Sequence, residues 1–105
     1  GLPLEDDAEI LSVMFKINDI SSAQNVHILI GTAQSTGDVL SIVANVDSED
    51  GDYFISYGGN SFPVNDNVVE VVVSLSETDY QNFAYITAYV TDNANEETEH
   101  LVFTK

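Results

Sequence analysis

Apolar and polar residues alternate one by one along most of this chain, and that alternation limits what it can fold into more than any other feature. In 10–17, Leu11, Val13, Phe15 and Ile17 take one parity, while Ser12, Met14 and Lys16 take the other. A period of two puts each set on one face of a β-strand, whereas a helix would scatter it around its axis. Pro3 followed by Glu5, Asp6 and Asp7 resembles an acidic first turn of a helix, a competing reading that the alternation outweighs. Further strand-like segments follow at 26–32, 39–46, 53–57, 68–75, 83–91 and 99–104. Turn residues recur between them about every 8 to 12 positions, the spacing of a sandwich or barrel. Thirteen valines, with Ile, Thr, Tyr and Phe, suit pleated half-buried surfaces. The expected class is all-β, an antiparallel sandwich of about seven strands.

The turns carry their own chemistry. Ser35-Thr36-Gly37-Asp38 separates the second and third strands, which makes them antiparallel neighbours. Gly58-Gly59-Asn60 ends the fourth strand where a positive φ costs little, and Asn65-Asp66-Asn67 precedes the fifth. Residues 1–9 are polar and acidic and read as a linker, leaving 10–105 as one domain. A chain of 105 residues has material for a single core.

Charge excludes whole classes of partner. Eighteen Asp and Glu face two basic residues, Lys16 and Lys105, for a net charge of −16. Nucleic acid and anionic membrane surfaces are recognised by Lys and Arg, so neither is an expected partner. No apolar run approaches the ~20 residues of a membrane span. The absence of cysteine removes disulfides, thiol catalysis and thiolate metal sites.

Ala88-Tyr89-Val90-Thr91-Asp92-Asn93-Ala94-Asn95-Glu96-Glu97 is similar to the end of many bacterial immunoglobulin-like domains, where a strand running into V-T-D-x-A-G-N turns into the final strand. Asn95 stands where glycine is usual there, and Glu96 where asparagine is usual. The opening Ala8-Glu9-Ile10-Leu11-Ser12-Val13-Met14-Phe15 resembles the first strand of such domains in secreted proteins and lipoproteins of Bacteroides-type bacteria. The cysteines and tryptophan of antibody-type domains are missing. The resemblance implies an immunoglobulin-like sandwich, and a non-catalytic module used for adhesion, binding or spacing. It implies an extracellular or cell-surface location, within a larger secreted or lipid-anchored chain, with a protein or glycan as partner. Two alternatives stand beside it: an acidic protein that occupies a basic partner as a nucleic-acid mimic, and a calcium-stabilised or glycan-binding sandwich.

Candidate sites are few. Ca²⁺ takes hard oxygen ligands, and Asp47, Glu49, Asp50 and Asp52 form the densest group of them. The EF-hand spacing fails there, because with Gly51 at the sixth loop position the first ligand would be Val46. In an immunoglobulin topology alternate loops share an end. Seven strands would group Asp19 with Asp47, Glu49, Asp50, Asp52, Glu77 and Asp79, and Asp38 with Asp66, Asp92, Glu96 and Glu97.

Around 83–90 the rings Phe83, Tyr85 and Tyr89 share one parity, while Ala84, Ile86, Ala88 and Val90 share the other. If the aliphatic side faces inward, the rings form an exposed stripe for a glycan or protein. If the rings face inward they are core, the reading favoured for Phe83 and Tyr85 because a tyrosine near the start of this strand commonly anchors such sandwiches. His27 and His100 are the only imidazoles. Neither lies in a nucleophile motif, and His27 takes the parity opposite to Ile28, away from the core. No cofactor and no enzymatic activity are expected.

Overall fold

The computed structural model describes residues 8–105. It is an all-β, sandwich-like arrangement of two antiparallel sheets, compatible with the immunoglobulin-like class expected above. Eight strands build it: β1 (Ala8–Lys16), β2 (Ala23–Gly31), β3 (Leu40–Glu49), β4 (Asp52–Tyr57), β5 (Asn60–Pro63), β6 (Val68–Ser76), β7 (Tyr85–Asp92) and β8 (Glu97–Thr104). One sheet is a ribbon of β1 and β6, and the other has the order β5-β4-β3-β2-β7-β8. Of the expected linker, residues 1–7 lie outside the described residues, and Ala8 and Glu9 belong to β1.

The alternation becomes the core directly. Val13, Phe15 and Ile17 from the β1 side, with Val69, Val71, Val73 and Leu75 of β6, meet Val26, Ile28, Ile30, Ile42, Ala44, Ile55, Ile86, Ala88 and Val90 of the larger sheet. Burying such side chains stabilises the fold by about 1.5–3 kcal/mol each before entropy is subtracted. β2 and β3 are antiparallel neighbours, as the Gly-Asp turn between them implies.

Besides a single 3₁₀ turn at Ile20–Ser22, two local elements depart from the sequence reading. The first is β5, four residues paired with β4 through Phe54↔Pro63 and Tyr57↔Asn60. The two residues between Tyr57 and Asn60 are Gly58 and Gly59, with φ of 59° and 80°. Positive φ at both central positions makes the tight hairpin turn that matches strand twist. The second is α1 (Glu77–Asn82), whose N-cap Ser76 accepts a hydrogen bond from the Asp79 backbone N–H at 3.1 Å. Its first turn carries Glu77 and Asp79, where acids complement the helix dipole.

The extra strand reverses the end at which every later loop emerges. Asp19, the β3–β4 turn, Asp66, Asp92, Glu96 and Glu97 all lie at one end, because Ala23 pairs with Asp92 and Glu49 with Asp52. Asp38, Glu77 and Asp79 lie at the other. The seven-strand grouping of acids is therefore corrected: Glu77 and Asp79 leave Asp19 and join Asp38, while Asp66, Asp92, Glu96 and Glu97 move the opposite way.

Candidate functional site

The outward face of the larger sheet carries the residues with chemistry. Inward positions of β2 are Val26, Ile28 and Ile30, so His27 and Leu29 point outward. In β7 the inward positions are Ile86, Ala88 and Val90, which turns Tyr85, Thr87, Tyr89 and Thr91 outward. Cross-strand register joins these sets into rows. Val43 of β3 is opposite His27, and His27 is opposite Tyr89. The register of β7 with β8 shifts between Ala88 and Val90, and the nearby Glu99 has a φ of 56°. This bulge brings His100 alongside Tyr89.

Three rings thus stack across three neighbouring strands. His27 lies 4.4 Å from Tyr89 between ring centroids with planes 2° apart, and Tyr89 lies 4.9 Å from His100 at 10°. Both faces of Tyr89 are covered by imidazoles, so the row presents ring edges, nitrogens and a phenol to solvent. His27 Nε2 shares a hydrogen bond with Thr91 Oγ1 at 3.0 Å, and His100 Nε2 is 3.3 Å from Glu97 Oε1. Partial burial holds the His27 imidazole below its usual pKa, opposed by the Glu97 charge. The same burial, aided by Glu97, raises the Tyr89 phenol. Both rings are therefore biased toward their neutral forms.

The next row is Ser41, Leu29, Thr87 and Val102. The β2–β3 loop, 32–39, folds over its middle: Ser35 Oγ is 3.4 Å from Thr87 Oγ1, and Thr87 is only 2% exposed. Asp38 holds this loop, accepting from Thr32 N–H at 2.8 Å, Thr32 Oγ1 at 2.6 Å and Thr36 Oγ1 at 2.8 Å. Those donors stabilise the carboxylate and pull its pKa down to about 2. Gly31 is the residue against which the loop closes, since a Cβ there would lie 2.2 Å from Thr36 Oγ1. Val43 at 55% and Val102 at 43% exposure flank the covered centre.

The three ring residues expected to act as one set are divided. Phe83 is buried at 4% exposure, edge-on to Tyr80 at 5.6 Å, with Lys105 Nζ 4.4 Å above its ring. It precedes β7 and serves the core, so it does not belong to a surface stripe. Tyr85 corrects the core reading favoured for it: it stands half-buried on the outward face, opposite Gly31 and Thr104. Tyr89 is the centre of the stack. The aliphatic parity won because Ala88 and Ile86 pair with Ile28 and Ile30, both fully buried.

Asp47, Glu49, Asp50 and Asp52 are not gathered around a common point. Asp47 accepts from Ser56 Oγ at 3.0 Å. Glu49 and Asp52 are an antiparallel pair, and Asp50-Gly51 forms the turn between them, with φ of 55° and 87°. Among the described residues no three His, Asp or Glu side chains are placed to hold one metal ion. Asn65-Asp66-Asn67 is also a turn, closed by paired backbone bonds between Asn65 and Val68 at 2.9 and 2.8 Å. Among the described residues no helix is long and apolar enough to cross a membrane.

Fold and surface together define an all-β sandwich domain with a stacked aromatic row on an open sheet face. Comparison with protein families, with curated proteins and with solved structures finds no match for the chain.

Proposed function

We propose that this chain is a non-catalytic, immunoglobulin-like module of a bacterial secreted or cell-surface protein, and that it binds a protein partner through the outward face of its larger sheet. The observation that carries this reading is the row of Val43, His27, Tyr89 and His100, with Val102 of the next row beside it. Apolar area, aromatic rings and hydrogen-bonding edges lie side by side there, the mixture that protein interfaces favour. A sugar is gripped chiefly on the open face of an aromatic ring, and Tyr89 has none to offer. This supports protein over glycan recognition. The nucleic-acid mimic reading draws less support, because the carboxylates gather in loops and turns, most of them at the Asp19–Asp92 end, instead of in rows along one face.

The test is retention of the labelled chain on intact bacterial cells and on host-cell surfaces. Retention that protease treatment of the target abolishes, and glycosidase treatment leaves intact, supports the proposal. Retention that only glycosidase treatment abolishes replaces it with glycan recognition. Retention equal for the wild type and Tyr89→Ala removes this face from the function.

A further inference from the structure

We propose that the free edge of β1 is a docking site for an extended segment of another polypeptide, which adds a strand to the ribbon and presents Lys or Arg to Asp19, Asp92 and Glu99.

The backbone pattern defines the edge. Ile17 N–H donates to Asn67 O at 2.8 Å, and the β1–β6 register is unbroken from Ala8 to Lys16. In an antiparallel pair alternate residues bond to the partner, so Leu11, Val13 and Phe15 face β6 while Ile10, Ser12 and Met14 direct N–H and C=O away from it. Among the described residues no strand pairs with that edge. The other edges are guarded in recognised ways. β5 has four residues and ends in Pro63, β8 carries the bulge near Glu99, and β6 carries Glu70 and lies beside β5. β1 is long, regular and free of proline, with charges only toward its two ends, at Glu9 and Lys16.

The ribbon also leaves β8 partly uncovered. Leu101 pairs with the buried Ala88 yet stays 36% exposed. Between β1 and β8 runs a groove of about 340 Å³ walled by Leu11, Val13, Ile86 and Phe103, with Lys105 closing one end. A second hollow of about 230 Å³ at the far end is lined by Asp19, Asp92 and Glu99, where Glu99 Oε1 accepts the Asn18 N–H at 2.7 Å. A strand laid along β1 would drop alternate side chains into the apolar groove and carry its end toward these carboxylates. Charge selects the occupant. A second copy would bring −16 against −16, whereas a cationic segment is attracted by the whole chain and by this end most of all.

The experiment is a calorimetric titration of the full chain with a synthetic peptide of alternating valine and threonine that begins with two lysines. Binding is expected to weaken as salt rises, to fall at least about tenfold when the lysines become glutamates, and to disappear when alternate peptide nitrogens are methylated. Ser12→Pro removes an edge donor without breaking a β1–β6 backbone bond, losing only the exposed Ser12 Oγ bond to Glu70, and is expected to abolish binding while the fold is retained; the methylated peptide gives the same readout on the unaltered chain. No binding up to about 1 mM, or binding indifferent to both changes, overturns the proposal. Self-association of the chain that Ser12→Pro abolishes assigns the edge to a second copy and overturns it as well.

Discussion

His27 lies flat against Tyr89 across β2 and β7, their ring centroids 4.4 Å apart and their planes 2° from parallel. The pairing follows from register, since the two residues are direct partners on the outward face. It ties the proposed surface to the sheet beneath it, so the face is rigid before any partner arrives. Replacing Tyr89 by leucine keeps apolar area but removes both stacks. The expected cost is about 1 kcal/mol of stability, read from urea unfolding, with the fold retained.

The same contact makes stability depend on pH. Burial lowers the pKa of His27 in the folded chain below its ordinary value of 6.5. The unfolded chain therefore binds the proton more readily, so the contribution of His27 is complete above 6.5 and is lost as pH falls through the lower folded value. His27→Gln is expected to flatten the fall in thermal midpoint between about pH 7 and pH 5. An unchanged slope would place the effect elsewhere.

Asp38 acts in a lower window. Its pKa of about 2, against an ordinary 3.8, means that the ionised carboxylate is what holds Thr32 and Thr36. Its stabilisation is present above 3.8 and is lost as pH falls toward 2. Asp38→Asn is expected to remove this acid transition and to speed amide exchange at Thr32, while core amides of β2 keep their protection.

Turn geometry gives a fourth expectation. Gly51 has a φ of 87° in the Asp50-Gly51 hairpin turn. Gly51→Val is expected to cost about 1 kcal/mol or more, because a β-branched residue is strained at positive φ. Gly31→Ala should destabilise for a different reason, since its new methyl would displace Thr36 and Asp38 from the loop.

The acidic hairpin at Asp47 to Asp52 is expected to treat Ca²⁺ as it treats Mg²⁺. Its carboxylates are spread over strand and turn, so both ions should raise the thermal midpoint equally, through screening of the −16 charge. A rise specific to Ca²⁺ would reveal a site bound only by the folded state.

Where alternation is clean, the fold could be read from residues alone. β1 and β6 expose one parity and bury the other, and in β1 that period outweighs the helix-like start at Pro3 to Asp7. The strand β5 was hidden because four residues between Gly58-Gly59 and Pro63 show no period, and its omission moved the later acids to the wrong ends. The helix was hidden by its six residues, although Ser76 three positions before Asp79 is a capping signal. At Phe83 to Val90 both parities were apolar enough for a core, and only pairing with Ile28 and Ile30 decides between them. Parity alone placed His27 outward, but it could not bring in His100. That histidine reaches Tyr89 through a bulge at a glutamate with positive φ, a conformation no local signal announces.

Retention on target cells, measured for three folded variants side by side, tests the proposed binding face most directly. Tyr89→Ala and Val43→Glu alter the outward face of the larger sheet, while Val72→Glu alters the outward face of the ribbon, where Val72 is 38% exposed. Loss of retention in the first two, with wild-type retention in the third, is the predicted result. Equal retention in all three, or loss in Val72→Glu alone, would contradict it.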